Sequence, residues 1–194
     1  MRKHILWITR TAAMLALLIC LQWVGSFVPN QLAKQLLTGT MVNCVLAVTA
    51  LYVGYSSGIT IALISPVFAF LLHIAPNLIT VLPIMAGNCC YVVLMRLICG
   101  KTGKPFWRQG AAVAGAATVK FGVLYLLVVK VICGLAAPKF LGKKLGETIL
   151  LAPPMLKPDK LPLMFAWPQL VTAICGGILA LCITPFLRKA LHRQ

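Results

Sequence analysis

The chain has 194 residues, 61% of them hydrophobic and 10% charged, with a mean hydropathy of +0.97 and a formal net charge of +16. No soluble domain of this length can hide so much apolar surface, so the composition specifies an all-α integral membrane protein. The cations sit at the ends of apolar runs and in loops rather than on an aromatic-studded patch, which excludes nucleic acid as a partner and points to orientation in a bilayer.

In chain order the apolar runs predict one six-helix membrane domain over residues 1–194. The first span covers about 5–28; it is too long for a signal peptide and ends in Phe27-Val28-Pro29, with no small-residue cleavage site. Ala12, Ala13 and Ala16 form a flat patch on it that permits close helix approach. A polar connection, Asn30 to Gly39, leads to a second span at about 40–55, and Ser56-Ser57-Gly58 reads as a tight turn. A short third span at about 59–74 contains Ser65-Pro66.

The fourth span, 77–99, places Thr80, Ile84, Asn88 and Tyr91 along one face. An amide and a phenol in hydrocarbon need partners, so this face should meet other helices or a polar cavity. Pro83 removes a backbone donor there, and the carbonyl it frees must be satisfied. A basic loop precedes the fifth span at about 110–136; the 137–161 connection holds both acids of the chain, Glu147 and Asp159; the sixth span runs over about 162–187.

Six crossings put both termini on one side, with ten cations there (Arg2, Lys3, Arg10, Arg96, Lys101, Lys104, Arg108, Arg188, Lys189 and Arg193). The other side holds Lys34 and five lysines of the 137–161 loop, so the positive-inside rule predicts cytoplasmic termini. The eight cysteines lie in the spans without metal or redox spacing and read as small buried hydrophobes, so no metal site is expected. No carboxylate lies in a span, and no nucleophile–base pair or phosphate-binding Gly-rich loop is present. This predicts a chain that is neither an enzyme nor an ATPase; an importer of this kind needs an engine supplied by other subunits.

Two lysines lie inside the fifth span. Lys120 is near its middle, where it could pair with helix carbonyls or face a partner; Lys130 lies toward the outer end, where its stem can snorkel. If either faces a pocket, an anionic ligand is implied. In the sixth span Gln169, Thr172 and Gly176 share a face behind Trp167-Pro168.

Arg10-Thr-Ala-Ala-Met-Leu-Ala16, Ile64-Ser-Pro-Val-Phe-Ala-Phe-Leu-Leu-His-Ile-Ala-Pro76, Pro83-Ile-Met-Ala-Gly-Asn88 and Trp167-Pro-Gln-Leu-Val-Thr-Ala-Ile-Cys-Gly-Gly-Ile-Leu-Ala180 together resemble the substrate-binding S component of energy-coupling factor (ECF) vitamin transporters. The resemblance implies capture of a micronutrient outside the cell, at a site near the outer face between helices four to six. It implies that helices one to three, through Ala12, Ala13 and Ala16, face an EcfT-like coupling subunit, and that two cytoplasmic EcfA-like ATPases use ATP to topple the chain inward. This chain itself would hold no cofactor and would lie in a prokaryotic cytoplasmic membrane.

On that resemblance the expected substrate contacts are Asn77 and Asn88 from helix four, Tyr125 and Lys130 from helix five, and Trp167, Gln169 and Thr172 from helix six, with Lys130 pairing with a carboxylate. The competing reading is a structural scaffold similar to MreD-like morphogenesis proteins, without a pocket. A self-contained carrier is disfavoured by the absent acids.

Overall fold

A computed structural model describes residues 2–75, 77–100, 105–136, 144–145, 148–149 and 161–191. Lys101, Lys104, Glu147, Pro153-Pro154, Asp159, His192 and Arg193 lie outside these residues. The six long helices are α1 (Arg2–Ser26), α2 (Gln31–Val48), α3 (Tyr55–Leu71), α4 (Val81–Cys99), α5 (Phe106–Leu124) and α6 (Trp167–Leu191). Among the described residues five helical stretches are long and apolar enough to cross a membrane, and α3 is a shorter apolar helix. A departure from pure helix is a two-residue antiparallel ladder, Lys144–Leu145 against Thr148–Ile149.

Several boundaries differ from the sequence pattern, each for a local reason. The segment Asn30 to Gly39 is helix, not a connection: Asn30 caps α2, its Oδ1 accepting from the backbone N–H groups of Leu32 and Ala33 at 3.0 and 3.1 Å. Gln35 and Thr38 of this stretch line a cavity, so a solvated loop and a cavity-lining helix share one composition. The turn before α3 is at Gly54, not at Ser56-Ser57-Gly58. Gly54 has φ +145°, which a side chain rarely tolerates. Ser57 and Gly58 are small because α3 packs closely there; a Cβ on Gly58 would stand 2.7 Å from Val92 Cγ1.

Pro83 falls in the first turn of α4, after a short 3-10 turn at Leu78–Thr80, where a missing N–H is tolerated. Beyond Leu124 the fifth helix continues in the wider π winding over Tyr125–Ala136, as α2 does over Thr49–Val53. Cys44 and Cys99 are buried as expected, whereas Cys20, Cys175 and Cys182 are exposed on the outer surface of the bundle.

Hydrogen bonds fix how the helices align. Trp7 Nε1 donates to Ser56 Oγ at 2.9 Å, joining the starts of α1 and α3. Arg96, late in α4, donates to the carbonyls of Ala50 and Leu51 at the end of α2, and Arg108 Nε donates to Ile98 O at the start of α5. Consecutive helices therefore alternate in direction, and one end of the bundle carries both the start of α1 and the finish of α6. The core of that end is dry: Leu46, Leu51, Ile61, Val92, Met95, Ala112, Ala116 and Ala180 pack together. Small residues bring α2 and α6 close. A Cβ on Gly176 would come within 2.6 Å of both Thr40 O and Asn43 Cβ, so glycine is required at that crossing.

Candidate functional site

The opposite half of the bundle holds a cavity of about 90 Å³, several times the roughly 10–15 Å³ a water needs on the same measure. Its wall draws on Gln22 of α1, Gln35, Thr38 and Asn43 of α2, and Ser65 and Pro66 of α3. Ile84 and Asn88 of α4, Lys120 of α5, and Met164, Phe165 and Gln169 complete it. Each polar member lies on an otherwise apolar helix, so the cavity exists because six amphipathic stripes converge at one depth.

Lys120 is 3% exposed. Its Nζ donates to Asn43 Oδ1 at 2.5 Å and to Asn88 Oδ1 at 2.7 Å, and stands 5.6 Å from the centroid of the Tyr91 ring. Asn43 Nδ2 in turn donates to Thr172 Oγ1 at 3.4 Å, and the Tyr91 hydroxyl donates to Ala173 O at 3.0 Å. One ammonium thus ties α2, α4 and α5 together, with α6 joined through Asn43. Among the described residues its third N–H meets no acceptor, and no carboxylate stands among them.

Elsewhere the wall is largely apolar, with four unpaired polar atoms set into it. Gln22 Oε1, Gln35 Oε1, Thr38 Oγ1 and Ser65 Oγ are buried and lack a hydrogen-bond partner among the described residues. The amide orientations are set by backbone: Gln22 Nε2 donates to Ser65 O at 3.4 Å, and Gln35 Nε2 donates to Met164 O, which also accepts from Gln169 Nε2. Each carboxamide thus keeps its N–H side on a backbone carbonyl and leaves its oxygen unmatched. An unpaired buried polar group costs about 1–3 kcal/mol, so four around one cavity mark a place where a guest is expected.

Of the residues expected from the sequence to contact substrate, Asn88 and Gln169 line the cavity, and Thr172 adjoins it through Asn43. Asn77 is buried just before α4, its carbonyl accepting from Thr80 Oγ1 at 2.6 Å, and is not part of the lining. Tyr125 stacks on Phe121 of its own helix, Lys130 is exposed, and Trp167 is 47% exposed; none of the three lines the cavity. Leu124, Val128 and Ile132 are buried at four-residue spacing, and Lys130, two residues from Val128 and from Ile132, falls on the other side of the helix. Gln22, Gln35, Thr38, Asn43 and Ser65 were not singled out by spacing; the available signal was a polar side chain inside an apolar run. Ala12, Ala13 and Ala16 are all exposed on α1.

A six-helix membrane bundle with a partly unsatisfied cavity is a membrane protein equipped to hold a small molecule. The family model for the substrate-specific component of ECF transporters matches residues 10–188, and the chain belongs to that family. It is accordingly a transporter component rather than an enzyme. No curated protein and no solved structure matches the chain in the same comparisons.

Proposed function

We propose that the chain captures a small micronutrient in the cavity between Gln22 and Lys120. It then delivers the nutrient inward by toppling, when docked on an EcfT-like coupling subunit driven by two EcfA-like ATPases. The observation that carries this reading is the set of four unpartnered polar atoms around one cavity in a chain of this family. A scaffold gains nothing from leaving these groups unmatched, since apolar residues of similar size would pack more stably.

The orientation follows from charge. The end that carries the termini is the more cationic and belongs in the cytoplasm of a prokaryotic cell, which puts the cavity in the outer half. The exposed Ala12, Ala13 and Ala16 offer a flat surface for the coupling subunit. Within the cavity Asn88 and Gln169 contact the guest, and Thr172 holds Asn43 in place.

Native mass spectrometry of protein purified in mild detergent from cells grown in rich medium tests capture, and pull-down through a tag on this chain tests the assembly. A discrete added mass together with co-purified ATPases is expected. A bare protein in several detergents, with no partner retained, would return the chain to the scaffold reading.

A further inference from the structure

We infer that the cavity selects a small monocarboxylate that also carries N–H or O–H donors, its carboxylate on Lys120 and its donors on Gln22 Oε1 and Gln35 Oε1. This deepens the capture reading and rests on it.

Among the described residues the lining has one charged side chain, Lys120, and no acid. A cationic guest would face an ammonium without compensation, so cations are excluded. Phosphates and dicarboxylates bring two or more charges to a site with a single cation and no arginine fork, so they are under-matched. A single carboxylate fits: Nζ has one N–H left after Asn43 and Asn88, and those two amides fix where it lies. Tyr91 buttresses the ammonium from beneath without supplying negative charge.

The remaining wall asks for the opposite polarity. Gln22 Oε1 and Gln35 Oε1 are carboxamide oxygens and can only accept, while each amide has one of its two N–H groups on a backbone carbonyl. Thr38 and Ser65 hydroxyls can serve either role. A guest with an acid group and no donors satisfies Lys120 but leaves both oxygens bare. A guest with donors and no acid leaves the ammonium with dipoles alone. Val42, Pro66, Ile84 and Phe165 supply apolar wall for the carbon skeleton between the two ends.

The test is isothermal titration of the full chain in detergent with three matched pairs: pantothenate and pantothenol, biotin and its primary amide, nicotinate and nicotinamide. An acid with donors, pantothenate or biotin, is expected to bind at least about tenfold tighter than its neutral partner, because a hydrogen bond to a charged group is the stronger kind. Lys120→Gln should bring that pair within about twofold. Because Lys120→Gln may fail to fold, Asn88→Asp serves as a second variant. It places a carboxylate beside the ammonium, keeps the contact as an ion pair, and should abolish the preference for acids.

Equal affinity for acid and neutral partner, or a preference that survives both variants, overturns the inference and leaves capture standing. Tight binding of nicotinate alone overturns the requirement for donors. If no compound binds, the co-purified molecule decides: one with a single acid group and donors upholds the inference, and one without an acid overturns it. No binding and no co-purified mass overturns the capture reading beneath it.

Discussion

In the half of the bundle that carries the chain's ends, every buried polar group noted above has a partner. Thr11 Oγ1 and Ser57 Oγ share a bond of 2.7 Å, Thr49 Oγ1 donates to Val45 O at 2.7 Å, and Arg96 donates to the carbonyls at the end of α2. In the other half Gln22, Gln35, Thr38 and Ser65 each keep an unmatched atom on one cavity. The same six helices run through both halves, so the contrast is not one of fold. Polar residues that hold the helices together are satisfied within the fold, and those four on the cavity are not.

The largest effect is expected from Gly176→Leu, at the α2–α6 crossing beside Asn43. Its Cβ meets backbone at 2.6 Å, and backbone cannot swing aside. Overpacking at such a crossing costs about 3 kcal/mol or more, so thermal unfolding in detergent should show a large drop or no folded protein. Wild-type stability would remove the close α2–α6 approach from the account.

Asn43→Leu comes next. It strips Lys120 of one acceptor and Thr172 of its partner on α2, a loss of about 2 kcal/mol that should register as a lower Tm and weaker ligand binding together. Ser65→Ala sharpens the contrast by sign. With no guest it removes an unsatisfied hydroxyl and should raise Tm by the equivalent of about 1 kcal/mol, while the affinity for the guest falls. A fall in both would show that Ser65 is paired in the empty protein. The smallest effect belongs to Lys130→Gln: the residue is exposed outside the cavity, so stability and affinity should both stay within about 0.5 kcal/mol of wild type. A clear loss of affinity there would restore Lys130 to the site.

The spans were legible in the sequence because lipid demands continuous apolar helices, and that signal is strong. What failed was legibility at the cavity, for a physical reason. Gln35 and Thr38 line the cavity, and a helix stripe facing such a space has the composition of a loop, so the start of α2 read as a connection. Gln22 was one polar residue in an apolar run and Lys120 one lysine of two in the same span. Burial separates Lys120 from Lys130: the first is buried, and the second, two residues from the buried Val128 and Ile132, falls on the other side of the helix. Asn88 and Gln169 were found because each shares a helical face with other polar or small residues, and that periodicity survives in regular α-helix.

The contact among Lys120, Asn43 and Asn88 also has a consequence for biosynthesis. The chain emerges N-terminus first, so α2 and α4 enter the bilayer before α5 exists to offer its ammonium. Until then two carboxamides lie in hydrocarbon without their native partner, and the wall they belong to has no centre around which to close. Final assembly of the cavity half therefore waits for the fifth insertion, and a chain halted after Pro105 should remain open to protease where the full-length chain resists it.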